Sequence, residues 1–348
     1  MDRAKRRRAG LTMIEVLILI GIMICLGTML FPAIQAARET ARRTTCQKNL
    51  RVIATACWRY HEASNALIAS SGVTREKNGK ILAVDGWSWA ALLLPYMENT
   101  AAAGGRDWKR LYDSLDIAHG TPLKEPAGAR GTPHADALAT RLPMLLCPSS
   151  GCEPYSDVDG RRAAISNYRP LGATHIESLS VASAMPSAPK YCPSNESRAY
   201  HPDGACCPGI NLRLDSIRKG TSNTLAFTES VEPRFSRWAV GADAAVVGLP
   251  PNVEFELDDR YYLPKGHAQA LKKSPEADAT YWSYHTYLDW DYERCPYQSI
   301  EAATSGRFGP SSNHPGVTHH LFLDGSCCPL SNDIDVGIYM HLIQRRTF

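Results

Sequence analysis

The 348-residue sequence has no Cys-x-x-Cys pair among its eleven cysteines, which removes the usual spacing of a redox dithiol or a zinc finger. It also lacks a nucleophile elbow and any metal-ligand spacing of a hydrolase, so nothing in it points to an enzyme. A charge excess of one sign is missing too. Ten of the 38 basic and three of the 35 acidic side chains precede Val52, which leaves 28 against 32 in the remainder. That mildly acidic balance argues against a nucleic-acid partner. Finally, the apolar run from Leu11 to Phe31 holds no basic residue that could pair with its one carboxylate, Glu15.

That run is the most informative stretch present. It counts 21 residues, close to the ~20 needed to cross ~30 Å of hydrocarbon as a helix, and it ends at Pro32. Upstream, Met1 to Gly10 sets Arg3, Lys5, Arg6, Arg7 and Arg8 against Asp2, a basic flank that stays cytoplasmic and directs the downstream chain outward. A secretory signal peptide is the competing reading, but its apolar part is normally about 7–15 residues, and no clean small-x-small site comes after the run. A carboxylate within lipid costs on the order of 2.5–3.5 kcal/mol on insertion scales, so Glu15 should be neutral, near the interface, or paired. A new amino terminus at Leu11, four residues upstream and about 6 Å away along a helix, would supply the positive charge from the same chain or from a neighbour.

Gly10-Leu11-Thr12-Met13-Ile14-Glu15, after a short basic leader, resembles the processing site of type IV prepilins and pseudopilins. The resemblance implies that prepilin peptidase cuts after Gly10 and methylates the new amino terminus of Leu11. It also implies that Glu15 is the assembly carboxylate, facing the amino terminus of an adjacent pilin-like subunit. Leu11 stands where the family usually has phenylalanine. Pro32 stands where many pilins carry a helix-kinking proline, which fits its loss of one backbone donor.

From Ala33 to about His61 the pattern stays helical. Cys46, Leu50, Ile53, Cys57 and Tyr60 mark one face for the outer domain. Arg38, Arg42 and Arg43 lie opposite, as a solvated collar at lipid headgroups or as a partner site. Cys46 and Cys57 are separated by about 16 Å of helical rise, beyond the ~7 Å Cα limit of a disulfide, so any bond they form goes elsewhere. Ten cysteines lie outside the apolar run: Cys46, Cys57, Cys147, Cys152, Cys192, Cys206, Cys207, Cys295, Cys327 and Cys328. Five of them (Cys147, Cys192, Cys207, Cys295 and Cys328) precede proline and are thereby biased to extended backbone. The reading preferred for the ten is disulfides in an oxidising compartment. Free buried thiols and a metal site are the alternatives, and the doublets Cys206-Cys207 and Cys327-Cys328 make poor tetrahedral pairs. No metal and no cofactor is expected.

Beyond Ser64 the composition predicts a sheet-bearing domain. Trp87 to Tyr96 reads as a buried element closed by Pro95, and a brief helix is expected near Trp108 to Ile117. Ser166 to Gly172 reads as a strand, and Ser178 to Pro208 as an inserted loop held by Cys192, Cys206 and Cys207. Leu214 to Glu229 gives a short helical piece, a turn at Gly220 and a strand through Leu225, Ala226 and Phe227. Tyr281 to Tyr292 is an aromatic stripe that could stack on sugars, though packing against its own sheet is the preferred reading. At the end, His314-Pro315-Gly316 makes a turn and Val317 to Leu323 a strand. Asp324-Gly325 then signals a two-residue hairpin and Ser326 to Leu330 returns. Asn332 or Asp333 caps a last helix with Ile334, Ile338 and Leu342 on one face. His314 and Asp324 could form a metal or acid/base pair. The preferred reading is structural, with Asp324-Gly325 setting the turn and His314 hydrogen-bonding across the hairpin base.

His314-x9-Asp324-Gly325 carries a second resemblance, together with Cys46 to Leu50 and on to Tyr60-His61, Leu94-Pro95-Tyr96, Leu146 to Ser149, Gly220 to Thr224, and Ser312 to His314. In this order they resemble a large bacterial family of prepilin-type proteins with a C-terminal H-X9-DG element. Its outer domain has no established function and is sometimes classed as an extracellular solute-binding family. The expected fold is α+β and pilin-like: a leader over 1–10, a transmembrane half-helix over 11–32, an amphipathic half over 33–64, and an extracytoplasmic domain over 65–348 built on an antiparallel sheet. The resemblance implies a single-pass protein of the bacterial inner membrane, with its N-terminus cytoplasmic and its C-terminal domain periplasmic. Its expected role is a pseudopilin-like structural subunit of a type II secretion or type IV pilus-like apparatus. The alternative is a membrane-anchored module that binds a solute or glycan.

Overall fold

The structure, a computed structural model, describes residues 12–75, 81–83, 86–97, 108–115, 117, 133–156, 162–173, 204–231, 236–244, 246–248, 255–258, 261–264 and 310–345. The chain divides into two compact units between Thr44 and Thr45, and it is α+β.

The first unit holds the start of helix α1 (Met13–Ser64). Thr12 caps it. The Thr12 N–H and Oγ1 both donate to Glu15 Oε2 at 2.8 Å, and the Glu15 N–H returns to Thr12 Oγ1 at 3.4 Å. This reciprocal arrangement is a capping box. From Met13 to Ile34 the large apolar side chains face outward, with Met13 82% and Phe31 66% exposed. The helix is long and apolar enough to cross a membrane. It continues through Pro32, which removes one backbone donor without ending it. Its hydroxyls bond within the helix, as Thr28 Oγ1 does to the Cys25 carbonyl and Thr40 Oγ1 to that of Ala36.

In the second unit α1 becomes amphipathic, with Cys46, Asn49, Leu50, Ile53, Ala54 and Ala56 buried and Cys57 and Tyr60 packed at the edge of the same core. The predicted helical face is therefore present. Strands β1 (Thr74–Arg75) and β2 (Ile81–Ala83) form a small antiparallel pair. The Trp87-containing run becomes α2 (Trp89–Leu93), capped by Ser88 Oγ, and a 3-10 turn over Leu94–Tyr96 with Pro95 in its first turn. Helices α3 (Trp108–Asp113) and α4 (Pro133–Leu138) come next, then the pair β3 (Tyr155–Ser156) and β4 (Ala163–Ala164). The main sheet uses β5 (Tyr168–Ala173), β6 (Leu225–Glu229) and β7 (Val246–Val247). A separate hairpin pairs β8 (Phe255–Asp258) with β9 (Tyr261–Pro264). Strands β10 (Val317–Phe322) and β11 (Cys327–Ser331) complete the main sheet, before α5 (Val336–Ile343).

The order of the five-stranded sheet is β11-β10-β6-β5-β7. Four strands are antiparallel, as expected, whereas the short edge strand β7 runs parallel to β5. Every residue of β6 is buried. Alternation along β10 sends Leu321 to the main core, with Leu50, Ile53, Trp89 and Phe227, and His320 to Tyr339 of α5. The rings of Trp89 and Phe227 meet edge-on, with centroids 4.8 Å apart, in the geometry aromatic quadrupoles favour.

Two local expectations are corrected. The hairpin loop has three residues, Leu323, Asp324 and Gly325: the Gly325 N–H bonds the Phe322 carbonyl at 3.0 Å, and the Phe322 N–H bonds that of Ser326 at 2.9 Å. Gly325 adopts φ 90°, so the loop is a turn closed by a left-handed residue. The Asp324 carboxylate accepts from the Ser326 N–H at 2.8 Å and its hydroxyl at 2.6 Å. Gly325→Ala should destabilise the protein by about 1 kcal/mol, measured by chemical unfolding, since its Cβ meets no closer atom than Ala54 Cβ at 3.7 Å and the cost is that of the backbone conformation. The cap of α5 is Asp335, whose side chain accepts from the Ile338 N–H, two positions later than Asp333. With that start Tyr339, Met340 and Ile343 turn inward, while Ile338 is 59% exposed. Ile334 and Leu342 pack only at the margin of the smaller cluster.

Candidate functional site

Four chain segments distant in sequence deliver one side chain each to a single buried point. Cys46 comes from the buried face of α1. Cys147 lies just after the 3-10 turn Pro143–Leu145, Glu229 ends β6, and His314 sits in the turn before β10. Their ligand atoms, two Sγ, one Nε2 and one carboxylate oxygen, all lie within 4.8 Å of one another. His314 Nε2 is 3.3 Å from Cys46 Sγ, 3.6 Å from Cys147 Sγ and 3.5 Å from Glu229 Oε1, and the two sulfurs are 2.7 Å apart. Cys46 is 0%, Cys147 5%, Glu229 1% and His314 2% exposed, so the cluster can hold an ion or lock the core but offers no face to a substrate.

The surroundings are built around this point. The His319 N–H and Nδ1 reach Glu229 Oε2 at 2.9 and 3.0 Å, which turns Oε1 toward the sulfurs. Glu229 Oε1 has no hydrogen-bond donor among the described residues, because 3.5 Å to His314 is ion-pair range and too long for a well-formed hydrogen bond. Burial alone would push Glu229 up, but His314 and His319 outweigh it and hold the carboxyl well below its usual range. The contact with Cys46, helped by His314, lowers the Cys147 thiol. The same contact, together with burial, pushes Cys46 up. The Cys147 N–H donates to Asn167 Oδ1 at 3.0 Å, and Asn49 Nδ2 donates to the Leu146 carbonyl and to Tyr168 Oη.

The His314 ring, expected to bond across the hairpin base, joins Cys46, Cys147 and Glu229 through Nε2. Asp324 and Gly325 lie beyond the other end of β10, where they make the turn, so they share no site with His314. No disulfide joins two of the described cysteines. Burial pushes Cys57 up to about 12 and, with Cys57 beside it, raises Cys206 well above the ordinary thiol range. Cys207 Sγ donates to the Gly204 carbonyl at 3.1 Å, and Cys152 Sγ to those of Ser150 and Val231. Cys327 and Cys328 are consecutive on β11 and point to opposite sheet faces, so they cannot act as one pair. Glu15 is found in the capping box and Pro32 inside α1. Gly10, Leu11, Cys192, Cys295 and the aromatic stripe of 281–292 lie outside the described residues.

The profile of the family described as "Protein of unknown function (DUF1559)" matches residues 35–337. The chain belongs to this family. The matched region contains the whole buried cluster and the β10–β11 hairpin. Three of the stretches that carry the family resemblance, Cys46 to Leu50, Leu146 to Ser149 and Ser312 to His314, meet in that cluster. The Gly10-to-Glu15 segment precedes the matched region of the family. No curated protein and no solved structure matches the chain.

Proposed function

We propose that the chain is a pseudopilin-like structural subunit, without catalytic activity of its own, for a secretion or pilus-like apparatus. In this reading prepilin peptidase cleaves after Gly10 and methylates Leu11. The Met13-to-Ile34 part of α1 holds the protein in the inner membrane, and the C-terminal domain lies on the periplasmic side. Assembly brings the helices of several subunits together, and Glu15 faces a neighbour's amino terminus. The observation that carries this reading is the outward-facing apolar surface of α1 from Met13 to Ile34, with a carboxylate in its first turn. Such a surface needs lipid or other helices to cover it. The Thr12 cap adds a point about Glu15. Within one chain its carboxylate already has N–H and O–H donors, and these reduce the cost of keeping it in lipid until a subunit's positive terminus arrives.

Glu15→Ala tests this. Processing should be unchanged, while co-purification of two differently tagged copies from membranes should weaken by about a hundredfold, a loss of ~2.7 kcal/mol, comparable to the ~2.5–3.5 kcal/mol that a charge without a partner costs in lipid. Undiminished co-purification would favour a membrane-anchored solute- or glycan-binding module that uses the leader only for placement.

A further inference from the structure

We propose that Cys46, Cys147, His314 and Glu229 bind one zinc ion in a closed tetrahedral centre, which ties the Cys46 turn of α1 to the end of β6 and to the turn before β10. The ligand set is two sulfurs, one imidazole nitrogen and one carboxylate oxygen, the donor types that zinc takes in four-coordinate structural sites. The proposal rests neither on cleavage at Gly10 nor on assembly.

Geometry supports it edge by edge. With Zn–S near 2.3 Å and Zn–N and Zn–O near 2.0–2.1 Å, tetrahedral angles put S···N edges at about 3.5 Å and the N···O edge at about 3.3 Å. The corresponding separations are 3.3 and 3.6 Å for His314 to the two sulfurs and 3.5 Å for His314 to Glu229. The sulfur pair is the closer edge at 2.7 Å, and it would open by about 1 Å to receive the ion, since two thiolates on one zinc stand about 3.8 Å apart.

The second support is the carboxylate. Glu229 Oε1 is buried without a donor among the described residues and points into the cluster, an arrangement that costs stability unless a cation or a donor meets it. A covalent bond between Cys46 and Cys147 would leave that oxygen as it stands, whereas a zinc ion coordinates it. The partners behind the ligands fit as well. His319 fixes Glu229 through Oε2, and Asn167 fixes the Cys147 backbone, the supporting contacts that orient metal ligands. On binding, each thiol releases its proton to solvent, His314 binds through neutral Nε2, and Glu229 binds as carboxylate. The centre then carries a net charge of −1, with no change of oxidation state.

The test is elemental analysis of the full-length chain, purified in detergent without chelator, for zinc. One zinc ion per chain is expected. It should be lost in Cys147→Ser and His314→Ala and retained in Cys328→Ser, which changes a thiol outside the cluster. Should the ligand variants not fold, the wild-type chain, stripped with chelator and titrated with cobalt(II), should show tetrahedral visible bands and thiolate-to-cobalt charge transfer that saturate at one equivalent. Three results would overturn the proposal: a wild-type chain that holds no zinc and gives no thiolate–cobalt absorption, a Cys46–Cys147 disulfide-linked peptide in a non-reducing digest, or a folded Cys147→Ser protein that keeps its zinc.

Discussion

Asp243→Ala is expected to lower the unfolding free energy of the detergent-solubilised chain by about 1.5–3 kcal/mol, the loss of charge-assisted hydrogen bonds to a buried guanidinium. Arg237 Nε and Nη2 meet the two Asp243 carboxylate oxygens at 2.6 and 3.0 Å, and the Arg237 N–H adds a third bond at 3.2 Å. Both side chains are almost fully buried. The fork geometry matches carboxylate to guanidinium, so removing Asp243 takes all three of these bonds from Arg237 at once. The pair also fixes the segment that places Trp238, whose indole N–H donates to the Leu138 carbonyl at 3.2 Å. Denaturant unfolding would measure the loss, and a change below about 1 kcal/mol would show that the pair behaves as an exposed one.

Acid should destabilise the protein through His320. The ring is buried between sheet and α5, where Nδ1 donates to the Thr318 carbonyl at 2.9 Å and Nε2 accepts from Tyr339 Oη at 2.6 Å, with Thr228 Oγ1 at 3.1 Å. Burial holds its pKa down to about 4 from the ordinary 6.5, against the opposing pull of Glu229. The unfolded chain therefore takes up a proton near pH 6.5 that the folded chain refuses until about pH 4. Stability from this group is fully present above pH 6.5 and falls as the pH drops toward 4, by on the order of 3 kcal/mol in total. Unfolding measured at about pH 7.5 and about pH 4.5 should show the wild-type chain losing more than His320→Gln by roughly that amount, and equal losses would contradict the assignment.

The helical half of the fold was legible because its signal is periodic. Cys46, Leu50 and Ile53 recur at the ~3.6-residue spacing of a helix and are all buried. The Trp87-to-Tyr96 run and the strand through Leu225-Ala226-Phe227 show as short apolar runs, and the strand through Leu321 is framed by the turn residues His314-Pro315-Gly316 and Asp324-Gly325. Finer decisions depend on one hydrogen bond each. Whether Asp324-Gly325 closes two or three residues turns on the Gly325 N–H, and the start of α5 turns on Asp335 rather than Asp333. Strand β7 has two residues, too few to carry any pattern.

The buried cluster has no local signature because its members are joined only by the fold. Cys46 and Cys147 are 101 positions apart, Cys147 and His314 are 167, and Cys46 and His314 are 268. Metal-ligand spacing rules are built on local pairs and pass over such a set. In sequence Glu229 is the polar end of a strand, and only the register of β6 against β10 places it beside His319. One feature of α1 could have been read from sequence: Thr12-x-x-Glu15 has the form of a capping box. It shows that the carboxylate in the first turn has a local partner as well as the intermolecular one that the prepilin resemblance implies.

The most direct check on the proposed role is the intact mass of the chain isolated from bacterial membranes. A processed pseudopilin-like subunit should begin at Leu11 and carry one added methyl group. A chain that still begins at Met1, without the methyl group, would contradict that role.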